Sequence, residues 1–247
     1  MPGAMERAGG PLIKRLARGP MLCDGSMLRL REIGPQRGLT DAEARHTAAL
    51  NLEHPAVVQS VHEEYLAAGC DAILTNTFQV SPHHMQEVQR NPRQHRTEDM
   101  VRTAAEIAQC AATAAVAQSP KHLPKKRWVL GDIGVLRAQA LGHVSRSTVA
   151  VFYREHVSML REAGVDGIIV EYVANADEMQ LAVQACKAAV GQSCPVLVTP
   201  IFGKTPAGEY RTPLAGSECL GRRSRLRWFE ARQWKRWSLL YSRPAPI

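Results

Sequence analysis

A chain of 247 residues, 45% hydrophobic and 22% charged, has the composition of a folded globular protein, which excludes a disordered or fibrous chain. No apolar run reaches the ~20 residues that a membrane helix needs, and residues 1–20 lack the apolar core of a secretory signal, so no membrane partner is expected. The formal charge of +8 is not a nucleic-acid signature either: residues 217–247 hold eight Arg or Lys against Glu218 and Glu230, which leaves residues 1–216 near neutral.

In chain order, the mildly basic start reads as a short surface helix docking Leu12, Ile13 and Leu16 on the body. Short β-rich runs then alternate with helical segments. The runs are MLCDG (21–25), AILTNTF (72–78), RWVLGDIG (127–134), GIIVEYV (167–173) and VLVTPIF (196–202). Each is apolar on both faces, as a strand in a covered parallel sheet is.

The helices between them are amphipathic. One opens at Pro55, shows Val58, Val61 and Tyr65 on one face, and stops at Gly69. A second is predicted from Thr97, as N-cap, through Met100, Ala104, Ile107 and Ala111. A third carries Val149, Tyr153, His156, Leu160 and Ala163 before Gly164. A fourth carries Met179, Val183, Cys186 and Val190 before Gly191.

AAGCDAILTNT (67–77) and EAGVDGIIVEY (162–172) repeat one phrase: a helix C-cap glycine, a polar link and a buried strand. The expected class is α/β with a parallel sheet, either a (β/α)₈ barrel or a doubly wound fold. Asp24, Thr75 to Thr77, Asp132 and Glu171 follow the apolar stretches of their strands, on the face where barrel enzymes do chemistry. No GxGxxG or GxxxxGK[ST] is present, so a nucleotide site has no support. Cys23, Cys70, Cys110, Cys186, Cys194 and Cys219 include no C-x-x-C pair and read as reduced thiols of a cytoplasmic protein.

Four stretches together resemble the homocysteine S-methyltransferase family, which includes betaine-, methylmethionine- and folate-dependent enzymes. They are LIKRLARGPMLCDGSMLRL (12–30), NLEHPAVVQSVHEEYLAAGCDAILTNTFQVS (51–81), LGDIGVL (130–136) and GVDGIIVEYVANADEMQLAV (164–183). The resemblance implies a TIM-type (β/α)₈ barrel, of which about five βα units are counted here. It also implies methyl transfer to the thiol of homocysteine from a methyl donor, giving methionine, with a zinc ion held by three cysteine thiolates.

Carried over residue by residue, Glu171 matches the glutamate that takes the substrate's ammonium, and Asp24 and Gly25 match its substrate-contacting pair. A strand-end carboxylate satisfied by backbone N–H groups is the bland alternative for Glu171, and a simple turn is the alternative for Asp24. Thr75, Asn76 and Thr77 either line the pocket or cap the following helix. Asp132 reads as a turn aspartate before Gly134, His83 and His84 as a solvated loop, and Cys186 and Cys194 as buried thiols.

The sequence departs from the family late in the chain. The family's Gly-Val-Asn-Cys-like phrase and its adjacent cysteine pair have no counterpart, and Cys219, in GSECLGRR, does not match a ligand. The expectation is a homocysteine-binding partial barrel over residues 1–216, C-terminally truncated, and a basic Arg/Trp-rich tail over 217–247 unlike the family. Such a chain lacks zinc ligands and is expected to be inactive as written unless a partner chain, as in a homo-oligomer, completes it. The alternative is a non-catalytic amino-acid-binding or regulatory remnant. A nucleic-acid role for the tail is disfavoured, since the tail has no regular amphipathic period.

Overall fold

The computed structural model describes residues 11–80, 96–119, 126–134, 145–173, 176–191, 194–201, 203–204 and 210–211. Its centre is a parallel sheet in the order β1 (Ala72–Leu74), β2 (Trp128–Gly134), β3 (Gly167–Val173) and β4 (Val196–Pro200). Strand order follows chain order, and helices fill the crossovers, as right-handed βα units require. A two-stranded antiparallel pair, β5 (Gly203–Lys204) and β6 (Tyr210–Arg211), follows.

Before the sheet come α1 (Pro11–Ala17), the short α2 (Arg29–Ile33), α3 (Asp41–Ala44) and α4 (Leu50–Glu53), and the longer α5 (Pro55–Ala67). Between the strands lie α6 (Thr97–Gln118), α7 (Arg146–Glu162) and α8 (Ala176–Val190). The predicted helix starts and stops are largely met. Pro55 opens α5, and Gly69, Gly164 and Gly191 follow their helices with positive φ. Thr97 differs: it is the first helical residue, and Arg96 takes the N-cap position without a side-chain cap.

The sheet's two faces carry different clusters, as period-two alternation demands. On the inner face Leu12 from α1 packs with Ala72, Leu74, Trp128, Leu130 and Ile169, so the opening helix plugs the base of the barrel. On the outer face Ile73 and Val129 meet Leu66 and the alanines 108, 111 and 112 of α5 and α6. Farther along that face Ile133, Ile168 and Val170 pack against Val149, Tyr153, Leu160, Met179 and Ala182 of α7 and α8.

The repeated phrase has a structural meaning. Asp71, just before β1, accepts the Leu22 N–H at 3.0 Å, and Asp166, just before β3, accepts the Val129 N–H at 3.0 Å. In each unit the repeated aspartate ties the start of the preceding strand segment, and a base holds it in place (Arg15 for Asp71, Lys126 for Asp166).

Two predicted strands are shorter than expected. Residues 21–25 run parallel to β1 but make only one bridge, Cys23 with Ala72. The ladder ends there because the Asp24 carboxylate, not a further backbone carbonyl, takes the Leu74 N–H. The 72–78 run leaves the sheet after Leu74, where Thr77 N–H turns back to the Thr75 carbonyl at 2.8 Å. The inner face, the base plug and the outer helices together make part of a TIM-type (β/α)₈ barrel.

Candidate active site

Three carboxylates, from the 21–25 segment, β2 and β3, act on one another electrostatically towards the carboxyl side of the sheet. Asp24 sits at the end of the 21–25 segment, half-buried. Its two oxygens accept the Leu74 N–H at 3.1 and 3.0 Å, and its own N–H bonds the Ala72 carbonyl at 3.0 Å. Burial raises its pKa to about 8, and Glu171 pushes in the same direction, against the bond from Leu74.

Glu171 lies on β3, paired with Gly134 of β2, two residues beyond Ile169 on the inner face. Burial raises its pKa as well. Beyond it the β3–β4 register shifts between Val170 and Val173, and Tyr172 adopts φ 68°, left-handed for a bulky residue. The bulge restores Val173 to the outer-face core beside Val170, leaving Glu171 and Tyr172 at the sheet's end. Tyr172 is largely exposed and meets Phe78 edge-on, with ring centroids 6.4 Å apart.

Asp132 is where the structure corrects the sequence reading. It is no turn residue: it lies within β2, buried, two residues beyond Leu130 on the inner face, and paired with Ile169. Its backbone is anchored on both sides, since its N–H donates to Thr75 Oγ1 at 3.0 Å and its carbonyl accepts from Thr77 Oγ1 at 2.5 Å. Its Oδ1 is buried with no hydrogen-bond partner. Burial, then Glu171, then Asp24 hold its pKa well above the ordinary carboxylate range. Among the described residues the influences on these three acids are burial, each other, and the backbone N–H groups of Leu74 and Asp24, none of them a cation.

The threonine- and asparagine-rich strand end is buried and internally bonded. Thr75 and Thr77 hydroxyls pair at 2.7 Å. Asn76 Nδ2 donates to the Thr47 carbonyl at 2.5 Å and to Asn51 Oδ1 at 2.9 Å, and Asn51 Nδ2 returns a bond to the Asn76 carbonyl. Of these residues, Thr75 and Thr77 hold the Asp132 backbone in register. Gly25 is packed by Tyr65: a Cβ there would stand 2.8 Å from the Tyr65 hydroxyl, which itself bonds the Ser26 carbonyl. His83 and His84 lie outside the described residues, as does Cys219.

The described thiols do not fit a zinc site. Cys70 Sγ donates to the Cys23 carbonyl at 3.4 Å, Cys110 is exposed on α6, and Cys186 and Cys194 neighbour one another at the opposite, amino end of β4. Among the described residues no group of three or more His, Cys, Asp or Glu is placed to hold a metal ion. None of the described helices is long and apolar enough to cross a membrane.

Sequence reasoning placed Asp24 and Glu171, and the structure brings them into mutual electrostatic range. It read Asp132 as a turn residue, although the LGD spacing, with Leu130 and Asp132 on one face of a strand, carried the signal of a strand position. Nothing in the sequence marks the left-handed backbone of Tyr172.

A parallel βα sheet with an apolar inner face, a plugged base and carboxylates towards the carboxyl side of its strands has the layout of a barrel-type protein. Residues 21–219 match the family model described as homocysteine S-methyltransferase, and the chain belongs to that family. Among curated relatives it is 27% identical to a methionine synthase of Mycobacterium leprae, over 84% of this chain and 16% of that protein. It is 25% identical to the homocysteine S-methyltransferase of Escherichia coli, over 65% of this chain and 52% of that protein. With mouse betaine–homocysteine S-methyltransferase 1 the identity is 26%, over 89% of this chain and 52% of that protein. The chain thus spans about half, or far less, of these relatives' lengths. In fold it resembles the metallated homocysteine methyltransferase of Escherichia coli, with a TM-score of 0.62 at 24% identity, covering 76% of this chain and 66% of that one.

Proposed function

We propose that this chain binds homocysteine, holding its ammonium between Asp24 and Glu171, as the amino-acid half of a homocysteine S-methyltransferase site. The observation that carries the reading is that half-buried Asp24 and Glu171 and buried Asp132 act on one another at the carboxyl side of the sheet, with no cation among the described residues acting on them. Such a pocket is unfavourable when empty and gains from a ligand's positive charge. Gly25 lets the backbone beside Asp24 pass close to the Tyr65 ring, and Asn76 and Thr77 set the pocket's floor through their bonds to Thr47, Asn51 and Asp132.

In the reaction of the family the homocysteine sulfur attacks a donor's methyl carbon. The S–C bond forms as the donor's bond to that methyl breaks, the donor leaves with the electron pair, and the thiol proton is released. A zinc ion, where three cysteine thiolates held it, would supply that chemistry with a sulfur deprotonated at neutral pH. The described residues assemble no three-thiolate set, and the sequence holds no counterpart of the family's late cysteine phrases. Residues 1–216 are read as the homocysteine-binding unit and 217–247 as a basic tail outside it. On this reading residues 1–247 bind the amino acid and do not transfer methyl unaided. The companion reading, favoured by the same missing thiolates, is an amino-acid-binding or regulatory protein built on the barrel.

Zinc content and homocysteine titration test these together. The expected result is saturable homocysteine binding with less than a tenth of a zinc per chain after mild chelation. About one tightly held zinc per chain, with methionine formed from a methyl donor, would replace this reading by a competent enzyme. No binding of homocysteine would remove the family's substrate from the proposal.

A further inference from the structure

We infer that Asp132 is a third binding residue of the pocket, which makes it selective for ligands carrying a primary ammonium. The inference deepens the proposed function and rests on its placement of the ligand's amine between Asp24 and Glu171. Three observations carry it. Asp132 is only 5% exposed, yet its Oδ1 has no hydrogen-bond partner, an arrangement that costs stability and persists where a site uses it. It stands on the inner face of β2, after Leu130 and two residue pairs below the Gly134–Glu171 pair, so it looks into the barrel beneath Glu171. Its backbone is clamped at both N–H and carbonyl by the Thr75 and Thr77 hydroxyls, which fixes the side chain's origin to the floor.

Among the described residues the ionisable groups acting on Asp132 are Glu171 from β3 and Asp24 from the 21–25 segment, both acidic. A primary ammonium has three N–H donors in a tetrahedral spread and one positive charge. It suits three acceptors from three strands, whereas a quaternary ammonium offers no donor and an amine-free ligand no charge.

The test compares wild type with Asp132→Asn, which keeps shape and removes charge, by calorimetric titration with three probes. L-Homocysteine carries amine and thiol, 4-mercaptobutyrate lacks the amine, and L-2-aminobutyrate lacks the thiol. The expected result is homocysteine and aminobutyrate binding weakened roughly ten- to a hundred-fold, the range for losing a charged hydrogen bond, with mercaptobutyrate binding unchanged. The variant's unliganded melting temperature should be equal or higher, which separates a binding role from a structural one. If aminobutyrate binding depends on Asp132 while homocysteine binds no better than aminobutyrate, the inference stands and the homocysteine reading falls. Equal affinities in variant and wild type, equal losses for all three probes, or no binding of any amine by the wild type would each overturn it.

Discussion

Single residues here carry constraints that their types alone do not announce. Gly134 closes the end of β2 with the Phe78 carbonyl lying where a Cβ would go, against backbone and not against a flexible side-chain tip. Gly134→Ala is therefore expected to cost about 1–3 kcal/mol, the range for overpacking, seen as a lowered urea midpoint with an unchanged slope. His62 is fully buried on α5 with both ring nitrogens unpartnered, and burial pushes its pKa down to about 4 from an ordinary 6.5. Below pH ~6.5 the unfolded chain binds a proton that the folded chain refuses until pH ~4. Its share of stability is thus whole above pH ~6.5 and is lost as pH falls toward ~4, by ~3 kcal/mol. Urea unfolding of wild type and His62→Leu at pH 7.5, 6, 5 and 4 should show the variant losing less across that window. Parallel curves would remove His62 as the cause.

Elements depend on ties that reach between neighbouring βα units. The aspartate of each repeated phrase bonds the second N–H of the adjoining strand segment, Asp71 to Leu22 and Asp166 to Val129. Removing the Asp166 carboxylate leaves the Val129 N–H, at the buried start of β2, without its acceptor. Asp166→Ala is expected to lower stability by about 1–3 kcal/mol, and hydrogen exchange should quicken at Val129 before the sheet's centre. Exchange quickening evenly across the sheet would show that the tie is not local. The repetition was visible in the sequence, but its purpose was not: a sequence shows that an aspartate recurs, and only the parallel pairing shows whose N–H it meets. The same pairing explains the missed strand limits. The 21–25 run is apolar enough to continue, and it stops because Asp24 spends its side chain on the Leu74 N–H.

At the scale of the molecule the pocket links ligand, charge and stability. Asp24 keeps its proton to about pH 8 in the folded chain, while an unfolded aspartate releases it near 3.8. Between those values the folded state holds a proton that the unfolded state lacks, so the ligand-free protein loses stability as pH rises from ~4 to ~8. Asp132 and Glu171, raised in the same direction, add to the slope. Melting temperatures of the ligand-free protein should fall from pH 6 to pH 8.5, and a bound ammonium ligand should flatten that fall by favouring the ionised carboxylates. A ligand-free protein equally stable at both values would show that the three acids are not held in their neutral forms.

The sequence by itself determined the parallel βα alternation, the helix faces and their glycine stops, and the placing of Asp24 and Glu171 at strand ends. These are legible because they are written in local periodicity, in turn chemistry and in four ordered stretches of family likeness. Tertiary structure alone decided that Asp132 shares the inner face and the charge of those two acids, that Asn76 and Thr77 spend their polar groups on Thr47, Asn51 and Asp132, and that a bulge at Tyr172 leaves Glu171 at the sheet's end. Each depends on register between strands some 40 to 60 residues apart, where a shift of one residue would turn every side chain to the other face.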